Sequence, residues 1–280
     1  MGRYLGSYMI KGRGSNRKFQ HLQDKLQGKL DNWKKHTLSL AGRITLVQVV
    51  TNQLLVFYMQ HTCIPAGIRQ KLEKMQRDFI WHSGEGVRKI HAVSWPVICM
   101  DKKNGGLGMR NLELMNEALL SKVVWNMLSN PENLCSKVLA GKYGRQHDLF
   151  KDCEALNSDS EIWKNLARIW PKIVDNISWE VGNGVSLKFW HDNWIGGGRR
   201  LREMCLVDLT EAENNASVAD MVNFEGSWSM EKLMGKLNTE GMQILMAMLP
   251  PASQVSGDSI RWGTALQSKF MVADMYHKLQ

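Results

Sequence analysis

The stretch SNRKFQHLQDKLQGKLDNW, Ser15–Trp33, decides how the first part of this sequence folds. Phe19, Leu22, Leu26, Leu30 and Trp33 recur at helical spacing and form one apolar stripe. Ser15 or Asn16 suits the N-cap, because a short polar side chain there can accept from an unpaired first-turn N–H. Lys18, Lys25 and Lys29 fall on a neighbouring line, about a quarter-turn from that stripe. Arg17, Lys34 and Lys35 add charge at the helix ends. The stretch predicts a helix that packs along one side and offers a row of ammonium groups on the adjacent side.

The same pattern continues outward. A second helix is expected from Ser39 through Leu40, Ile44, Val47, Val50 and Leu54. It is apolar almost all round and is expected at the buried centre of this section. Arg43 sits in its first turn, where a cation opposes the helix dipole, which points to a phosphate or carboxylate contact for that side chain. A third helix follows Pro65, with Ile68, Leu72, Met75 and Phe79 inside and Arg69, Lys71, Lys74 and Arg77 around the rest. Beyond it the sequence suggests strand-like pieces over Ile90–Val97, and a turn at Lys102–Gly106. Helices are then expected from Asn111 through Met127, over Leu134–Tyr143 and over Ser160–Val174. Trp179–Trp190 alternates on both sides of Gly182-Asn183-Gly184 and predicts a β-hairpin within about residues 177–194. Val218–Met248 is expected to turn helical again.

The 280 residues are 44% hydrophobic and 22% charged, the composition of an ordinary globular protein with a real core. The formal net charge is +9 and unevenly spread. The first 110 residues hold 19 Lys and Arg against 6 Asp and Glu, and the remaining 170 hold 17 against 21. So strong a local excess attracts polyanions, nucleic acid first and anionic membrane as the rival. The most apolar run, Ile44–Met59, is expected to be too short and too polar to span a bilayer. The first fifteen residues lack the apolar core of a secretory signal. Five scattered cysteines with no Cys-x-x-Cys pair argue against a disulfide framework and a zinc site, and fit a reducing compartment.

Other chemistry finds little support. Gly105-Gly106-Leu107-Gly108 lacks the strand before it and the Gly-Lys-Ser/Thr of a phosphate loop, and reads as a turn. His191-Asp192 has no nucleophile motif beside it and also reads as a turn. No Asp-Asp pair is present, and two-metal phosphoryl transfer needs clustered carboxylates. No catalytic residue, metal ligand or cofactor is assigned.

Several segments, in order, resemble the region downstream of the polymerase core in non-LTR (LINE-type) retrotransposon reverse transcriptases of the plant type. They are Tyr4-Leu5-Gly6; Trp33-Lys34 with Leu38 to Leu46; Phe79-Ile80-Trp81; Gly105 to Leu112; Asn116 to Leu120; Trp179 to Gly184 with Phe189 to Trp194; and Ser268-Lys269-Phe270 to Tyr276. The resemblance implies a mainly α chain, a helical thumb-like bundle followed by an α-rich linker region with a small β-hairpin. It divides the chain into a palm–thumb junction at 1–14, a thumb at 15–83, a linker at 84–267, and the lead-in to a zinc-binding module at 268–280. The catalytic palm is expected before Met1 and the zinc ligands beyond Gln280, which leaves this chain without a polymerase active site of its own. The implied partner is an RNA–DNA duplex or other nucleic acid held without sequence preference, with other reverse transcriptase segments as further partners and no membrane. The phosphate contacts are then Arg17, Lys18, Lys25, Lys29, Lys34, Lys35 and Arg43. The implied compartment is intracellular, the nucleus. The alternative is a non-catalytic protein-interaction fragment or a non-functional relic of the element.

Overall fold

Ser39 starts the central helix of the first unit: its hydroxyl accepts from the Gly42 N–H at 3.1 Å. In the computed structural model this helix runs from Leu40 to Met59, as α2 (Leu40–Leu46), a π-helical segment (Val47–Thr51) and α3 (Asn52–Met59). The structure describes residues 2–4, 7–9, 19–32, 38–81, 92–143, 153–251, 257–263 and 269–280. They form two compact units, the first comprising Met1–Val123, Ala155–Ile169 and Val272–Gln280, the second Val124–Glu154 and Trp170–Met271.

In the first unit, strands β1 (Gly2–Tyr4) and β2 (Ser7–Met9) pair antiparallel, with Arg3 opposite Tyr8. Helix α1 (Gln20–Asn32) follows, and Phe19, Leu22, Leu26 and Leu30 are buried as the stripe predicts. Helix α4 (Ala66–Ile80) packs against α1, α2 and the π segment, burying Ile68, Leu72 and Phe79. Gln76 of α4 donates to the Thr51 hydroxyl at 2.9 Å, and Thr51 in turn donates to the Val47 carbonyl four residues back. A hydroxyl that takes a helix carbonyl competes with the regular ladder, which is where a π turn forms.

The second helix is not the buried centre that its sequence suggests. Val47, Leu55, Tyr58 and Met59 are buried, while Leu40, Val49 and Phe57 are exposed. At 20 residues the helical run is also longer than the apolar stretch alone indicates, and by length and composition it suffices to cross a bilayer. Two of its polar groups, Arg43 and Thr51, however, are taken up by α4. Arg43 is 8% exposed and donates to the Ile80 carbonyl at the C-terminal end of α4, where a cation favours the helix dipole.

The link between α3 and α4 is fixed from a distance. Helix α5 (Trp95–Cys99) and the glycine turn at 105–108 lead to α6 (Leu112–Ser129). Asn111 caps α6, its carboxamide oxygen accepting from the N–H groups of Glu113 and Leu114 at 2.9 and 3.2 Å. One turn on, buried Asn116 donates to the carbonyls of Met59 and Thr62, both at 3.0 Å, and accepts from the Ile64 N–H at 2.7 Å. The described part of the expected strand-like region, residues 92–97, forms no strand: a bend leads into the short helix Trp95–Cys99, where Pro96 occupies the first turn and its missing N–H costs nothing.

Helix α7 (Leu134–Tyr143) belongs to the second unit, and α8 (Glu161–Val174) has Pro171 inside its last turn. The predicted hairpin finds a different partner. Strand β3 (Ile177–Glu180) pairs antiparallel with β4 (Ser259–Trp262), Ile177 opposite Trp262, rather than with the residues after Gly184. The loop between is occupied by a carboxylate. Asp258 accepts from the N–H groups of Gly182 and Gly184 at 2.8 Å and of Ser186 at 2.9 Å. These alternate N–H groups turned inward form an anion-binding concavity, and Gly184 supplies the positive φ (70°) that the turn needs. The remaining elements are short: α9 (Glu211–Asn215), α10 (Met230–Leu233) and α11 (Thr239–Met246). Around them Phe189, Trp190, Trp194 and Trp228 form one aromatic core with Leu187, Leu201, Leu233 and Leu245. Helix α12 (Val272–Leu279) returns to the first unit, where the Tyr276 hydroxyl accepts from the Asn111 N–H at 3.0 Å. The protein is mainly α with a small antiparallel β component.

Two substitutions test these fastenings. Asn116→Ala leaves one buried N–H, one buried carbonyl and one half-buried carbonyl without partners, so urea unfolding is expected to show a loss of about 3 kcal/mol; a loss under about 1 kcal/mol would show that solvent replaces the carboxamide. Arg43→Ala removes the bond to Ile80 and is expected to lower stability by about 2 kcal/mol in the same measurement. Unchanged stability would mean that Arg43 has no structural role.

Candidate nucleic-acid interface

Helix α1 buries its leucines and so turns Lys25 and Lys29 outward, four residues apart and therefore on one face. The nearby acids do not neutralise them. Asp24 accepts from the Gln20 carboxamide at 3.0 Å, and Asp31 from the Gln27 carboxamide at 2.7 Å. Among the described residues neither lysine has a carboxylate partner. Two ammonium groups one helical turn apart, exposed and without a carboxylate partner among the described residues, concentrate positive charge on one face of α1.

Of the other residues assigned to phosphate, Arg17, Lys18, Lys34 and Lys35 lie outside the described residues. Arg43 is turned inward onto Ile80 and is not part of this face. Helix α4 adds two cations that the stripe of α1 does not reveal. Lys71 and Lys74 are exposed, three residues apart, and free of carboxylates among the described residues. Their signal is present in the sequence: both fall away from the Ile68–Leu72–Phe79 stripe. The other two cations of α4 are used internally. Arg69 bonds the Ile64 carbonyl at 2.7 Å and Glu113 at 2.6 Å, and Arg77 lies 5.9 Å from the Trp95 ring centroid.

The second unit treats its charges differently. Arg199 pairs with Glu240 at 2.8 Å, Arg202 with Asp208 at 3.6 Å, and Arg261 Nε with Glu180 at 2.8 Å. Lys236 pairs with Glu213, and that bond, with the Thr210 N–H and hydroxyl, draws the Glu213 carboxyl down to about 2. Lys232 donates to the Asp220 carbonyl at 2.7 Å. These cations serve the fold.

Two motifs prove structural. The N–H groups of Gly105, Gly106, Leu107, Gly108 and Met109 all go to backbone carbonyls, which leaves none to cradle a phosphate. A Cβ at Gly106 would lie 2.0 Å from the Met100 carbonyl oxygen, so only glycine fits the turn. His191 faces Asn214 at 3.1 Å, while the Asp192 carboxylate accepts from the Lys188 N–H at 2.7 Å, so the two side chains lock separate parts of a turn. A cleft of about 520 Å³ in the second unit lies between Trp170, Trp179, Asn193 and Arg200, with Glu154, Asp175 and Asp192 also on its wall. Its carboxylates make it a poor seat for phosphate. Among the described residues no group of three His, Cys, Asp or Glu is placed to hold a metal ion. The five cysteines form no disulfide.

No family model matches the chain. Over 270 residues, 93% of its length, it is 32% identical to the putative ribonuclease H protein At1g65750 of Arabidopsis thaliana, and it spans 42% of that relative. Over 127 residues, 45% of its length, it is 32% identical to the uncharacterized mitochondrial protein AtMg00310 of Arabidopsis thaliana, of which it spans 82%. The chain belongs to the family of these plant proteins, a retroelement-related one.

Proposed function

We propose that this chain is the thumb and linker part of a non-LTR (LINE-type) reverse transcriptase, and that its first unit grips a template–primer RNA–DNA duplex through backbone phosphates. In this reading residues 15–83 are the thumb, 84–267 the linker, and the segments at 1–14 and 268–280 the approaches from a palm and to a zinc module. The observation that carries it is the exposed pair Lys25 and Lys29, without a carboxylate partner among the described residues while Gln20 and Gln27 bond the neighbouring aspartates. Lys71 and Lys74 extend the same chemistry onto α4, which packs against α1. The grip reads charge and not sequence, which suits a surface that holds whatever duplex is being copied. We assign the chain no catalytic residue, and ribonuclease activity stays with the relative whose name states it. The nucleus is the compartment that goes with this reading.

A second reading is a protein-interaction fragment. The observation that favours it is the exposure of Leu40 and Val49 on one helix. Membrane insertion of that helix would have to tear Arg43 and Thr51 away from α4.

Binding to a blunt RNA–DNA duplex across a salt series separates the readings. The wild-type chain is expected to show a steep linear fall of log affinity with log salt. Lys25→Glu with Lys29→Glu together should reduce that slope by about 2, one unit for each lost phosphate contact. Equal slopes and affinities for the two proteins, or no binding by the wild type, would remove the duplex grip and put the interaction fragment first.

A further inference from the structure

Aromatic rings connect α3 to α1 in the first unit. Phe57, in the last turns of α3, is 43% exposed. It meets Tyr58 edge-to-face at 5.2 Å and His61 at 5.5 Å. Tyr58 is buried and lies 5.3 Å from His21 of α1. The Phe57 ring is therefore held against a floor, not free on a surface.

From His21, Lys25 and Lys29 lie one and two turns further along the same side of α1, about 6 and 12 Å along its axis. The His21 ring, which Tyr58 joins to Phe57, thus stands at the head of a row of ammonium groups. Its surroundings argue against an apolar docking patch, since Gln53, Gln60 and His61 are the exposed neighbours on either side of Phe57. Proteins that hold single strands combine these two features, a basic track for the backbone and an aromatic side chain on which a base stacks.

We infer that Phe57, with His61 beside it, is a stacking platform for an unpaired base where a nucleic-acid duplex gives way to single strand. This rests on the duplex grip proposed for Lys25 and Lys29 and adds a preference for a duplex end that carries an overhang. Stacking is sequence-tolerant, because every base has a π face, and it responds little to salt, because no counterion is released.

The test measures fluorescence anisotropy with two probes, a blunt RNA–DNA duplex and the same duplex with a single-stranded extension. Wild type, Phe57→Ala, Phe57→Trp and the Lys25→Glu, Lys29→Glu double variant are compared, with circular dichroism confirming that each folds. The wild type is expected to bind the extended probe more tightly. Phe57→Ala should lose about tenfold on the extended probe, keep its affinity for the blunt one, and keep the wild-type salt slope. Phe57→Trp should restore the preference. A Phe57→Ala chain that matches wild type on both probes, or loses the same factor on both, overturns the platform. If the double lysine variant binds like wild type, the duplex grip itself fails, and that outcome is read independently of the Phe57 result.

Discussion

One buried carboxamide sets the geometry on which the basic face depends. Asn116 bonds the Met59 and Thr62 carbonyls and the Ile64 N–H, so it fixes the short connector through which α3 turns into α4. A connector of that kind carries backbone groups that water would otherwise satisfy, and a single side chain that takes three of them removes its alternatives. The orientation of α4 follows from it. Helix α4 then packs against α1, receives Arg43 at its C-terminal end and hands Gln76 to Thr51. The outward direction of Lys25, Lys29, Lys71 and Lys74 is the residue of all this packing.

The two units divide the use of charge. In the second, Arg199, Arg202, Lys236 and Arg261 are each answered by a carboxylate of the same unit, and Asp258 closes a loop by filling a nest of N–H groups. In the first, Arg43, Arg69 and Arg77 are drawn into the fold while the lysines of α1 and α4 remain outside. Arginine suits the inner task, since its guanidinium donates in fixed directions to carbonyls and carboxylates and lies over indole rings. Lysine, a flexible and hydrated point charge, suits a phosphate backbone whose position varies.

Much of this was legible in the sequence wherever the signal was local. The Phe19–Leu30 stripe, the helix starts at Ser39 and Asn111, and the extents of α7 and α8 depend on residues a few positions apart, and the local pattern shows them directly. Distant partnerships were not legible. The strand that pairs with Ile177–Glu180 lies about eighty residues later, and the Gly182-Asn183-Gly184 turn has the composition of a hairpin whether its N–H groups meet a returning strand or the Asp258 carboxylate. Arg43 misled for a related reason. Its place in the first turn of its own helix suggests a ligand, whereas the end of another helix, Ile80 of α4, supplies the negative pole it serves. On the site itself, the lysine row of α1 was visible as a pattern, but that its aspartates are held by glutamines emerges only from the side-chain bonds.

In the proposed grip, nucleic acid lies along α1 and α4 of the first unit. Lysine-reactivity footprinting by mass spectrometry, with and without an RNA–DNA duplex at low salt, reads that location directly. Protection of Lys25, Lys29, Lys71 and Lys74 is predicted, with Lys188, Lys232 and Lys236 of the second unit unchanged. Protection confined to the second unit, or spread evenly over both, would contradict it.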